Sequence, residues 1–276
     1  MRWVFCALAV IGLASPAAAA DLPDFDVLRG PITVGPATFT RWNGFYAGGQ
    51  LGYTNGNADF SSSTQSIVAY ALRETALEAE FTPSQWPVLG PTNASTASYG
   101  GFIGYNTQWQ DLVLGVEGNA NRAGLTLRGL STPIGPLTTG ADSLGDTHTV
   151  TINANGAVQN IDFATLRARA GYVIGSFMPY GFGGVALGLA NTAITATIHD
   201  TQCTTATPPV CNSYTFTNSY GKNGEVLYGF TVGGGVDVAL TPNIFVRAEF
   251  EWNQFNPPPG ILMTIATGRV GAGFKF

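Results

Sequence analysis

The chain has 276 residues, a formal charge of −5, 36 glycines and only 11% charged residues, where ordinary soluble domains carry about 25%. The acidic balance argues against a general nucleic-acid-binding surface. Beyond the N-terminus no stretch offers the roughly 20 consecutive apolar residues that a membrane-spanning helix requires.

Residues 1–20 read as an export signal: Arg2 supplies the positive start, Val4 to Leu13 the apolar run, and Ala18 to Ala20 the small-residue cleavage site before Asp21. Cleavage after Ala20 removes Cys6 and leaves two cysteines, Cys203 and Cys211. Their closeness in a polar segment and an oxidising destination suggest one local disulfide. A zinc site is poorly supported, because only His199 lies nearby and no second cysteine pair exists. Residues 21–41 are acidic and carry Pro23, Pro31 and Pro36, which suits a periplasmic lead-in without regular structure.

From Trp42 onward the pattern has a period of two. In Trp42 to Tyr53, Phe45, Ala47, Leu51 and Tyr53 fall on one face, with Tyr46, Gln50 and several glycines on the other. The motif Trp42-x-Gly-Phe-Tyr-x-Gly-Gly-x-x-Gly-Tyr53 resembles the small porin-like outer-membrane barrels of alphaproteobacteria, which share the eight-stranded OmpA/OmpX-type architecture. The terminal Gly273-Phe274-Lys275-Phe276 carries the same resemblance, with Phe274 and Phe276 as the barrel's C-terminal signature. It implies an all-β fold, an eight-stranded antiparallel transmembrane up-and-down β-barrel with long extracellular loops. Outer-membrane lipids and the barrel-insertion machinery are its implied partners. Members of the family include surface antigens, adhesins and haem binders, so an extracellular ligand or a host surface is a further implied partner.

Residues 54–97 read as an insertion in which Ile67 to Phe81 is rich in helix formers. A surface-loop helix is the expectation; a luminal plug is the alternative. Strands follow at Ser98 to Trp109 and Leu112 to Ala120, the latter with Leu112, Leu114, Val116 and Ala120 opposite Glu117 and Asn119. In the connection 121–160, Asn155-Gly156 reads as a hairpin turn. Asp162 to Ile174 puts Leu166 and Tyr172 opposite Arg167 and Arg169. The register of residues 180–193 stays open, since Val185, Leu187 and Leu189 compete with Tyr180 and Phe182. A third connection, 194–223, holds the cysteines. Glu225 to Leu240, Asn243 to Phe255 and Met263 to Phe276 complete eight strands.

If the charged face of every strand is luminal, Arg167, Arg169, Arg247, Arg269 and Lys275 face inward with Glu117, Glu225, Asp237, Glu249 and Glu251, and no charge is left on the outer face. Such a balance suits a narrow interior, where an unpaired charge is costly. A soluble lipocalin-like barrel would reverse the faces and leave a water-facing surface with very few charges. The ionic row reads as a structural brace, with a narrow or gated ion path as the runner-up. For catalysis, His148 and His199 fall in connections without a positioned nucleophile, and no G-x-S-x-G or H-E-x-x-H pattern occurs. No enzyme activity, cofactor or metal is expected. A haem-binding alternative would use His148, His199 or Tyr214 as axial ligand. The expected role is an envelope and surface protein acting through its outer loops.

Overall fold

The computed structural model describes residues 41–129 and 131–276. The expected export signal and nearly all of the lead-in lie outside them. Among the described residues nine strands form: β1 (Gly44–Asp59), β2 (Pro91–Trp109), β3 (Leu112–Gly129), β4 (Ile134–Ala141), β5 (Asp146–Tyr172), β6 (Phe177–Thr204), β7 (Cys211–Ala239), β8 (Ile244–Phe255) and β9 (Leu262–Lys275). Neighbours pair antiparallel, β9 closes onto β1, and β3 pairs with β5 around β4. The ring therefore has eight strands, and β4 is an extra strand hydrogen-bonded to the outer half of β5. Closure leaves no unpaired backbone edge in lipid, the condition that makes a barrel viable there.

One end carries the tight turns at Gln110-Asp111, Val173–Ser176 and Leu240–Asn243, and both ends of the ring's chain. Its outward aromatics, Phe45, Tyr105, Trp109, Tyr172, Phe177 and Phe274, make one girdle. Tyr53, Tyr99, Tyr228 and the half-buried Trp252 mark the other, with Leu51, Ile103, Val116, Leu166, Val185 and Val270 between them. This is the lipid-facing band of a membrane barrel. One ion pair does lie on the outer face, contrary to expectation. Arg122 and Asp162 meet at 3.7 Å where β3 and β5 both bulge, and Asp162 also accepts from the N–H groups of Ala123 and Gly124. The pair sits near the outer girdle, where Tyr99 is the cross-strand partner of Arg122.

The long connections are mostly strand. β6 and β7 run for 28 and 29 residues, against 12 and 14 for β8 and β9. Their outer halves, with β4 and β5, make a four-stranded blade in the order β4-β5-β6-β7. Asn155-Gly156 is not a turn: β5 passes straight through it, pairing with Ile194 and Thr195 of β6. Gly156 is needed for packing instead, because a Cβ there would come within 2.9 Å of Leu89 and 3.2 Å of Phe60. The true reversal before β5 lies at Asp142–Gly145, where Gly145 has a φ of +85°.

The expected helix is two short ones, α1 (Gln65–Ala71) and α2 (Ala76–Phe81), the second capped by the Thr75 hydroxyl accepting from Glu78 N–H. They do not ride on the surface. Ile67, Val68, Leu72 and Leu77 are buried in one cluster with Phe60, Leu89, Leu125, Leu127, Val150, Ile152, Ile194 and Ile198. They are not a plug within the lumen either: the helices cap the outer mouth of the ring and underlie the blade, where Asn218 of β7 donates to the Ile67 carbonyl.

Candidate functional site: a filled barrel under a projecting blade

Alternation on the ring strands turns one set of side chains inward, and pairing then sets which of them meet. Glu117 lies directly opposite Arg167, Asp237 opposite Arg247, and Glu249 opposite Arg269. Eight of the ten expected luminal charges form one cluster. Arg167 bridges Glu117, Glu249 and Glu251; Arg169 joins Glu117 to Asp237; Arg247 joins Asp237 to Glu117; and Arg269 holds Glu249 and Glu251. All eight are buried, and the four arginines balance the four acids. Removing such groups from water costs several kcal/mol per ion, which the attraction offsets only with multiple, well-formed partners.

The other two stand apart. Lys275 faces inward near the turn-side end, donating to the Arg41 carbonyl at 2.9 Å and lying 4.2 Å over the Trp42 ring. Glu225 is buried far along β7, where it accepts from the Tyr220 hydroxyl at 2.9 Å and lies 3.5 Å from Lys222. Membership by face was readable from the alternation; height along the barrel was not.

Aromatic rings complete the network, and the sequence reading did not assign them to it. Phe182 stacks under Arg167 at 4.0 Å, Tyr180 under Arg169 at 3.8 Å and Phe102 under Arg247 at 4.1 Å. The Tyr46 hydroxyl donates to Glu117 at 2.7 Å and that of Tyr180 to Glu249 at 2.6 Å. This resolves the register of β6: Tyr180 and Phe182 point in, while Val185, Leu187 and Leu189 face lipid. The two sets never competed, since even and odd positions occupy opposite faces. The signal was available in Gly233 and Gly235, opposite on β7. A Cβ at Gly233 would approach Phe182 to 2.4 Å, and one at Gly235 would come to 3.0 Å from the Tyr180 hydroxyl.

Three layers fill the interior. Trp42, Tyr46, Phe102, Tyr180, Phe182 and Phe245 pack at the turn-side end. The ionic cluster follows, then Gln50, Asn119, Asn121, Thr54, Ser98 and Thr267, hydrogen-bonded among themselves. The helix-capped apolar cluster closes the outer end.

Both histidines are on strands of the blade, and neither is unpaired. His148 is buried, with Nδ1 2.8 Å from Asp200 and Nε2 3.4 Å from Asp142, and the Phe81 ring packs beside it. With both ring nitrogens engaged, it offers no axial ligand to haem. His199 is exposed, its Nδ1 3.0 Å from the Thr215 hydroxyl, and Tyr214 is exposed near the tip of β7. Among the described residues no group of three or more His, Cys, Asp or Glu side chains could hold a metal ion. The Asp142 carboxylate accepts from Asp146 N–H at 2.8 Å and from Leu144 N–H at 2.9 Å, and the Asp146 bond, ahead of His148, holds its pKa below the ordinary value. At the blade tip, Cys203 and Cys211 are cross-strand partners joined as a disulfide.

The chain is 25% identical over 274 residues to the 25 kDa outer-membrane immunogenic protein of Brucella ovis, covering 99% of this chain and 96% of that one. Among solved structures it is similar to Ail, the attachment invasion locus protein of Yersinia pestis, with a TM-score of 0.35, 12% identity, and 84% and 99% of the two chains covered. It is likewise similar to the N-terminal β-barrel domain of Pseudomonas aeruginosa OprF, with a TM-score of 0.32, 13% identity, and 85% and 98% covered. The match that settles the family is by sequence and spans residues 5–276. The chain is an integral protein of the bacterial outer membrane with a structural and surface role, and it belongs to the outer membrane protein beta-barrel domain family.

Proposed function

We propose that the barrel is a closed, non-catalytic anchor and that the β4–β7 blade is its working surface, meeting ligands or host surfaces outside the cell. The observation that carries this reading is a ring interior lined with buried side chains, in which eight charges join one ion-paired cluster between an aromatic layer and a helix-capped apolar cluster. A gated ion path would need some of the buried arginines to release their carboxylates, each of which is held by at least two partners. The ionic cluster serves instead to brace the barrel walls. The relative in Brucella ovis is named as immunogenic, which suits a protein whose outermost strands are exposed. The Phe274 and Phe276 terminus would be the element read by the insertion machinery, and residues 1–20 the signal removed on export.

Planar-bilayer recording of the refolded full chain tests the closed state. The expected record shows no unitary conductance under moderate voltage, and steady ohmic steps would overturn the reading. Haemin titration addresses the remaining ligand alternative: the wild type and His199→Ala should give the same absence of a Soret shift.

A further inference from the structure

The two edges of the blade differ. On one side β4 is guarded: it is short, Pro136 removes a donor, and the register shifts twice against β5. These are the usual devices that stop an edge from recruiting another strand. On the other side β7 pairs with β8 only from Gly229 onward. Among the described residues no strand covers Cys211 to Gly221 on that side. This stretch, Cys-Asn-Ser-Tyr-Thr-Phe-Thr-Asn-Ser-Tyr-Gly, contains no charge and no proline. Every second N–H and C=O along it faces outward. The Ser219 N–H is met only by its neighbour Asn218 at 2.9 Å, which shows that the odd-numbered residues hold the open side.

We propose that this edge pairs antiparallel with the same edge of a second copy seated in a facing membrane. Centred on Phe216, the pairing sets Thr215 against Thr217, Ser213 against Ser219, and Phe216 against itself. Odd residues meet odd, so their outward N–H and C=O groups exchange. No like charges come together, and β-branched and aromatic pairs are the favourable cross-strand kind. The hydroxyl face of one blade, where Thr197 meets Thr217 and Thr201 meets Ser213, continues into that of the other.

Symmetry decides which membrane the partner occupies. Two copies in one bilayer are related by an axis along the membrane normal, which leaves their strands parallel or crossed. Antiparallel extension of a sheet needs a two-fold axis perpendicular to the sheet, and that axis lies in the membrane plane because the blade stands up from it. The partner therefore points back from an opposing surface, and the contact joins cells. This inference rests on the outward orientation of the blade but not on the absence of conductance, so the bilayer recording and the pairing assay can fail independently.

The test uses the full chain in lipid nanodiscs holding one copy each, where in-plane association cannot occur. Sedimentation should show concentration-dependent pairs of discs, and negative-stain images should show them face to face. Thr217→Lys puts a guard charge on an exposed edge position and should weaken pairing at least tenfold, while Thr151→Lys, on the same face but mid-blade, should leave it unchanged. Heat-modifiable mobility on gels checks that each variant is folded. Single discs at all concentrations, pairing that Thr217→Lys leaves intact, or equal loss with Thr151→Lys would each overturn the proposal.

Discussion

The strand β5 passes through two solvents and reverses its chemistry between them. In the membrane, its even positions, Leu166 and Tyr172 among them, face lipid, and Arg167 and Arg169 face inward. In the blade, even positions Val150, Ile152 and Ala154 are buried, and Thr149, Thr151 and Asn153 face water. The switch happens at a bulge between Gln159 and Asp162, where Asn160 has a φ of +54°. One extra residue exchanges the two faces. β7 does the same near Gly224, at a φ of +62°. The lower ring is thus apolar outside and ionic within, whereas the blade with its helices is built like a soluble domain. The bulges sit where the surroundings change.

If the lower region is held by its ions, the largest loss should come from Arg167→Ala, which takes one partner from each of Glu117, Glu249 and Glu251 and leaves the cluster with four acids and three arginines. Breaking a buried pair by removing one partner costs roughly 3–5 kcal/mol. Urea titration of the refolded barrel should show it, and adding Glu117→Gln should recover part by restoring the balance of buried charge, three acids to three arginines. If the upper region is a soluble-type core, Leu72→Ala should cost it roughly 2–5 kcal/mol. Hydrogen exchange should quicken in α1 and the blade, while the heat-modifiable gel shift of the ring stays unchanged.

The face reversal itself is tested on one strand. Leu166→Arg should destabilise by roughly 2–4 kcal/mol as a charge facing mid-membrane lipid, and Val246→Arg on β8, one outward position from the Phe274 girdle, should cost less. Thr151→Arg, also outward, should change stability by no more than about 0.5 kcal/mol because that face is in water. Equal effects in folding titrations would end the two-solvent reading.

The smallest expected effect is local and pH-dependent. The carboxylate of Asp142 is held below its ordinary pKa of 3.8, so its stabilisation of the β4–β5 turn is full above that value. It is lost as pH falls through the lower folded-state value. Amide exchange at Leu144 and Asp146, corrected for intrinsic rates, should rise in strong acid, and Asp142→Asn should remove that dependence.

Alternation alone determined much of the lower region. Each ring strand carries one residue set fit for lipid and one that is not, and Phe45, Leu166, Val246 and Phe274 all face outward as that pattern requires. The count of eight strands followed from the same signal. In the blade it failed, because Thr- and Asn-rich strands look like loops when water bathes one face. Asn155-Gly156 looked like a turn because its packing against Phe60 and Leu89 is not a local property. Which charges join a single cluster, why Glu225 and Lys275 stand apart, and how His148 meets Asp142 and Asp200 depend on shear and strand length. Those are properties of the closed ring: a period of two assigns a side chain to a face, and only pairing between distant strands assigns it a height.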